Sequence, residues 1–187
     1  MALPAEKGRY TFADALTWSD DERAEIVNGE PAMMAPPTTA HQLISGEIFQ
    51  QLGNYLEGKK CRAIPAPFAV RLFEKDGESP EDVDTMVELD ITIVCDPSKL
   101  DKHGCKGAPD MVVEILSPST QRHNRLVKLG LYQRAGVREY WIVDPMKQTI
   151  LVYDMEHSAA PAIHSFSDSI KVNIYDNLEI DFSKLRF

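Results

Sequence analysis

Residues 111–116, Met-Val-Val-Glu-Ile-Leu, constrain this chain most, because every side chain in the run except Glu114 is apolar. A strand apolar on both faces needs cover on both, as the central strands of α/β sheets have. A lone ionised carboxylate in such surroundings is costly, so Glu114 must be neutralised, paired or bound to a cation. Arg122, Arg125 and Arg138 are available for a purely structural ion pair. The rarity of buried carboxylates away from functional sites favours a chemical role over that pairing.

The flanking segments supply the cover. Ile44, Ile48, Leu52 and Leu56 recur at four-residue spacing over 41–56, one face of a helix closed by Gly58. Ser119 can cap a second helix running to about Ala135, with Gly136 just past its end. Residues 63–73 and 86–95 have strand character, and 139–143 and 149–153 read as two strands joined by the turn 144–147. Residues 170–175 and 178–182 read as edge strands. Nearer the start, 10–18 and 20–27 carry short helical patterns, and Asn28-Gly29 is a turn leading into a strand at 30–34. The order predicts an α/β (α+β) fold, a mixed central β-sheet flanked by helices, in a single domain over 1–187.

Net charge narrows the partners. With 29 acids against 20 bases the chain carries −9, a field that repels phosphate backbones unless bases concentrate locally or a cation is bound. Residues 121–138 hold Arg122, Arg125, Lys128, Arg134 and Arg138 with no acid. Arg122, Arg125 and Lys128 follow helical i+3 spacing and form a candidate stripe toward phosphates. Without aromatic residues interleaved for base stacking, duplex contact is the better expectation. Cys61, Cys95 and Cys105 form no C-x-x-C pair and leave an odd count, which argues against a disulfide framework or a zinc knuckle and for reduced thiols in the cytoplasm. No apolar run reaches the roughly 20 residues of a membrane span.

Two further residues join Glu114. In the strand pattern of 89–94, Leu89, Ile91 and Ile93 share one face, while Asp90 shares the other with Thr92. Lys128 shares a helical stripe with Leu131, Tyr132 and Ala135 and points toward the sheet. Each has a structural alternative: a strand-start carboxylate for Asp90, and a lysine whose stem lines the core while its ammonium reaches water for Lys128. Together, two carboxylates and an inward lysine are the parts of metal-dependent phosphodiester hydrolysis. The carboxylates hold Mg²⁺ or Mn²⁺ through oxygen, and the lysine orients or deprotonates water and stabilises charge on the phosphate.

Residues 89–94, 107–120 (Gly-Ala-Pro-Asp-Met-Val-Val-Glu-Ile-Leu-Ser-Pro-Ser-Thr) and 128–145, with Glu139-Tyr140-Trp141-Ile142-Val143-Asp144-Pro145, closely resemble the Uma2 family, placed among the restriction-endonuclease-like PD-(D/E)XK nucleases. Asn28-Gly29-Glu30, Met34-Ala35-Pro36, His41 and Pro65-Ala66-Pro67-Phe68 extend the resemblance through the first half. It implies a restriction-endonuclease-like core of helix, three-stranded meander, second helix and further strand. Asp90 then matches the aspartate of the first half-motif, with Leu89 in place of its proline, and Glu114 matches the acid of the second. Leu116 stands where the wider superfamily has lysine, so the resemblance points to Lys128 as the substitute, and to Asp90, Glu114 and the Ile115 carbonyl as the metal ligands. Asp110 lies about 13 Å from Glu114 along one strand, too far to share an ion. A third acid is sought in Glu30, preferred to Glu47, and His41 is a candidate phosphate contact or a helix-start residue.

The expectation is therefore a Mg²⁺-dependent DNA endonuclease, with a homodimer if both strands are cut. A catalytically silent nucleic-acid- or protein-binding module on the same fold, and a hydrolase of another phosphoester, are the rivals.

Overall fold

A computed structural model of the protein describes residues 8–19, 23–117 and 123–186, side chains at 123–125 excepted. The chain opens with a short helix α1 (Phe12–Ala15), a hairpin of β1 (Ala24–Val27) and β2 (Glu30–Met33), and the long helix α2 (Thr39–Leu56). Then come β3 (Arg62–Pro65), β4 (Ala69–Arg71), β5 (Val87–Glu88), β6 (Ile91–Val94), β7 (Leu100–Asp101), β8 (Gly104–Lys106) and β9 (Met111–Ile115). Helix α3 (His123–Ala135) leads to β10 (Glu139–Asp144), β11 (Thr149–Asp154), β12 (Ala162–Ser165), β13 (Ser169–Lys171) and β14 (Glu179–Asp181).

Six strands form the main sheet in the order β12-β11-β10-β9-β6-β3. Only β9 and β10 run parallel, because α3 carries the chain back across the sheet between them; the other neighbours are antiparallel. The two faces of this mixed sheet build two cores. Met111, Val113, Ile115, Trp141 and Val143 pack with Ile44, Ile48, Leu52 and Leu56 of α2. Val112, Tyr140 and Ile142, on the other face, pack with Leu131 and Tyr132 of α3 and with Val70, Val87 and Cys105 of the smaller sheet β5-β4-β8-β7. The doubly apolar run thus has the two-sided cover it requires.

Helix α2 starts two residues before the sequence pattern suggests, because the Thr38 hydroxyl accepts a hydrogen bond from the His41 N–H at 3.2 Å. Asn28 and Gly29 both take positive φ, 53° and 84°, as a tight hairpin turn needs. A side chain at Gly29 would meet the Arg9 side chain.

Several expectations are corrected. Residues 24–27, read as helical, form β1: the Asn28-Gly29 turn and the cross-link of Ile26 to Met86, through two 2.8 Å backbone bonds, hold them extended. The run 63–73 splits into β3 and β4 of different sheets around Pro65-Ala66-Pro67, prolines that offer no N–H to a ladder. The run 86–95 divides likewise into β5 and β6 at Asp90. Leu89 accordingly packs in the second core while Ile91 and Ile93 pack in the first, so the expected shared face is broken there. Residues 170–175 and 178–182 do not edge the main sheet; β13 and β14 pair with each other, and the short strand β12 takes the edge. The cap residue Ser119 lies outside the described residues.

The cysteine reading is also corrected. Cys61 and Cys95 form a disulfide, because each extends the antiparallel β3–β6 register by one residue beyond the Arg62–Val94 pair and they stand opposite one another. Distance in sequence said nothing of this register. Cys105 is free and buried, and burial lifts its thiol pKa to about 11. Among the described residues no helix is long and apolar enough to cross a membrane.

Candidate active site

The β6–β9 ladder ends at Ile91 opposite Val113, and the next residues on the two strands are Asp90 and Glu114. Asp90 sits where the chain leaves the small sheet for the main one. Its Oδ2 accepts the Ile115 N–H at 2.6 Å, which pins the carboxylate against the open edge of β9. Along a strand, the N–H and C=O of one residue face the same neighbour. The Leu116 N–H bonds to Val143 on β10, so the Ile115 carbonyl faces the other edge, that of Asp90.

Glu114 projects from the α3 face of the sheet, beside Val112. Its Oε1 accepts from Lys128 Nζ at 2.7 Å and from the Tyr132 hydroxyl at 2.8 Å, and its Oε2 accepts from the Tyr140 hydroxyl at 2.5 Å. Three donors therefore satisfy a carboxylate whose side chain is only 12% exposed. The partner is the lysine of α3, and Arg138 instead joins Asp110 and Glu156. Burial raises the Tyr132 pKa far above its ordinary value, and the neighbouring Glu114 charge adds to that, so Tyr132 remains a donor.

The further acid that meets Lys128 is neither Glu30 nor Glu47. Glu25 of β1 is buried and accepts from Lys128 Nζ at 2.9 Å. Its Oε1 also accepts the Glu88 N–H at 3.2 Å, because β1 is bridged to the chain just before β5. Burial raises the Glu25 pKa, and the Lys128 ammonium opposes that rise. For Lys128, burial by itself would lower the pKa; the facing carboxylates Glu114 and Glu25 outweigh it and the net shift is upward. A donor held between two carboxylates has no lone pair to take a proton, so deprotonation of water by Lys128, one role expected of it, does not fit this geometry.

Glu25, Asp90, Glu114, Ile115 and Lys128 line one cleft of about 400 Å³ that also receives His41, Ser45 and Leu116. His41 Nε2 lies 3.2 Å from Asp90 Oδ1, while its Nδ1 is buried without a partner among the described residues. Arg23, at the rim, pairs with Glu88 at 2.5 Å. Leu116, in place of the superfamily lysine, contributes an apolar side chain to the wall.

The structure thus brings Asp90, Glu114, Lys128, Ile115 and His41 together. Glu30 is exposed and lies outside the cleft lining, as does Glu47. Arg122 and the Arg125 side chain lie outside the described residues. Lys128 is interior, so it does not join Arg122 and Arg125 in the expected surface stripe toward phosphates; of the other bases of that segment, Arg138 is engaged in ion pairs and Arg134 lies over the Phe73 ring. Asp110 accepts the Cys95 N–H at 2.7 Å, a strand-start role away from the cleft. Glu25 was missed because the helical reading of 20–27 hid its place between buried Ala24 and Ile26; a strand reading, prompted by Asn28-Gly29, would have marked it as a second carboxylate in an apolar strand.

Residues 12–183 match the Uma2 family, described as "Putative restriction endonuclease". The chain belongs to the Uma2 family. A relative from Synechocystis sp. (strain ATCC 27184 / PCC 6803 / Kazusa), named "Uncharacterized protein slr1290", is 25% identical over 141 residues, 74% of this chain and 70% of the relative. A crystal structure from Anabaena variabilis ATCC 29413, titled as a "putative nuclease belonging to DUF820", superposes with a TM-score of 0.71 at 20% identity, covering 94% of this chain and 97% of that one. That likeness shows the fold.

The donor set suits a hard divalent cation: two carboxylates and one main-chain carbonyl, all oxygen. Among the described residues no three His, Cys, Asp or Glu side chains gather to enclose a metal. Mg²⁺ is commonly bound through one or two carboxylates, with water and substrate phosphate in its remaining positions.

Proposed function

We propose that this protein hydrolyses phosphodiester bonds of DNA as a metal-dependent endonuclease. Asp90, Glu114 and the Ile115 carbonyl would hold Mg²⁺ or Mn²⁺, and Lys128 would act beside them. The observation that carries the reading is the 2.7 Å bond from Lys128 to Glu114 in the cleft that Asp90 also lines. When bound, the cation would polarise the phosphate and lower the pKa of coordinated water.

The chain's own residues supply positioning and charge. The Ile115 N–H fixes the Asp90 carboxylate, and His41 faces its other oxygen at 3.2 Å. Tyr132 and Tyr140 hold Glu114 in one orientation. Lys128, held by Glu25 as well as Glu114, would present positive charge to the cleft where negative charge grows on the phosphate oxygens during attack. Cutting both strands of a duplex would take two such sites, hence a homodimer.

One observation favours the rival reading of a catalytically silent binding module. Glu114 is already satisfied by three donors and Lys128 by two carboxylates, as a purely structural network would be. Titration of Mg²⁺ and Mn²⁺ against DNA cleavage separates the two. The nuclease reading expects cleavage that needs the ion and disappears in Asp90→Ala. No cleavage with either ion, or cleavage indifferent to that substitution, favours the silent module.

A further inference from the structure

The cleft lining combines two kinds of residue. Asp90, Glu114, Glu25 and Lys128 are charged, whereas Met34, Phe49, Pro65, Pro67 and Leu116 are apolar. Both described lysine and arginine side chains that line it are occupied, Lys128 by Glu25 and Glu114, Arg23 by Glu88. A duplex presents its charged sugar–phosphate rails first, and its affinity comes mainly from free cations that neutralise phosphates. This cleft offers no unpaired cation among its described lining residues. It offers instead an aromatic ring, two prolines and a leucine beside the carboxylates, surfaces to which the flat face of a base adheres.

We infer that the cleft takes an unpaired nucleotide, from a single strand or extruded from a duplex, with its base against the apolar lining residues and its phosphate at Asp90 and Glu114. The inference rests on the nuclease reading and names the state of its substrate. It reverses the expectation of duplex contact, since Phe49 and the prolines meet only in the folded chain. Two observations beyond the apolar lining residues agree. The volume of about 400 Å³ lies at the small-ligand end of binding pockets, a size for one nucleotide unit rather than a helix of stacked pairs. Ser45 of α2, 8% exposed, adds a hydroxyl-bearing side chain to the lining of the same cleft. An extruded base brings polar edges that such a hydroxyl can meet.

The test is fluorescence anisotropy in Ca²⁺, with three labelled oligonucleotides: a single strand, its perfect duplex, and that duplex with one unpaired bulge. One stacked base is worth about 1–3 kcal/mol, so the single strand and bulge should bind roughly tenfold more tightly than the perfect duplex. Phe49→Leu and, independently, Leu116→Ser should erase most of that difference by weakening the single strand and the bulge more than the perfect duplex; two variants are used because Phe49 and Leu116 pack on different cores. Perfect duplex bound as well as the bulge, or variants that weaken all three equally, overturns the inference. Cleavage in Mg²⁺ on the same oligonucleotides keeps the two levels apart. Perfect duplex cut in preference to the bulge sinks the unpaired-nucleotide claim alone, whereas no binding and no cleavage of any oligonucleotide sinks the nuclease reading with it.

Discussion

Lys128→Met should cost about 3 kcal/mol of stability in metal-free buffer. Lys128 is the shared cation of Glu25 and Glu114, whose side chains are 6% and 12% exposed. Methionine is close in length and apolar, so the packing change is minor. What remains is two buried carboxylates facing each other without a counter-charge, and removing one partner of a buried pair typically costs about 3–5 kcal/mol. The lower end applies because Glu114 keeps the Tyr132 and Tyr140 hydroxyls and Glu25 keeps the Glu88 N–H. Urea unfolding with EDTA measures the loss as a shifted midpoint at unchanged slope. Adding Glu25→Gln to Lys128→Met removes the facing charge and should recover roughly 1–2 kcal/mol, so the two substitutions are coupled by about that much. A loss below about 1 kcal/mol for Lys128→Met, or a Glu25→Gln effect that simply adds to it, would refute the shared-cation network.

Asp90→Asn keeps an acceptor for the Ile115 N–H and should leave the urea midpoint within about 1 kcal/mol, yet lower metal-dependent cleavage by roughly a hundredfold or more; a stable variant with full activity contradicts its role. Gly104 has φ of 133°, and a side-chain carbon there would lie 2.1 Å from the Ala69 carbonyl oxygen, so Gly104→Ala should destabilise by about 2 kcal/mol or more in the same assay, and a neutral result contradicts the close β4–β8 approach. Buried Glu139 accepts from Trp141, Asn173 and Ile174, and burial raises its pKa against those donors. Because the folded state holds this proton more tightly than the unfolded one, its contribution is full below the ordinary glutamate value of 4.5 and fades as pH rises through the folded pKa. The advantage of wild type over Glu139→Gln, from urea midpoints across mildly acidic to neutral pH, should therefore shrink upward; an advantage that grows with pH contradicts it.

The framework was legible because its signals are periodic. The four-residue apolar spacing from Ile44 to Leu56 placed α2, and the doubly apolar run around Glu114 demanded a sheet covered on both faces. Asp90, Glu114 and Lys128 were legible as charges in apolar patterns. What stayed hidden depends on register and long-range pairing. Glu25 reaches Lys128 only because β1 bridges to Met86, and Cys61 meets Cys95 only through the β3–β6 register. The chain switches sheets at Asp90 and around Pro65–Pro67, so strand runs that look continuous in sequence divide in space. Strand β12, short and half-exposed, lacks the alternation that marks a buried face.

Anomalous diffraction from crystals grown with Mn²⁺ tests the central claim most directly. The account predicts a single strong peak within bonding distance of Asp90, Glu114 and the Ile115 carbonyl, absent from Asp90→Ala crystals grown alike. Ordered Asp90 and Glu114 side chains with no peak between them, or a Mn²⁺ ion bound only elsewhere on the protein, would contradict it.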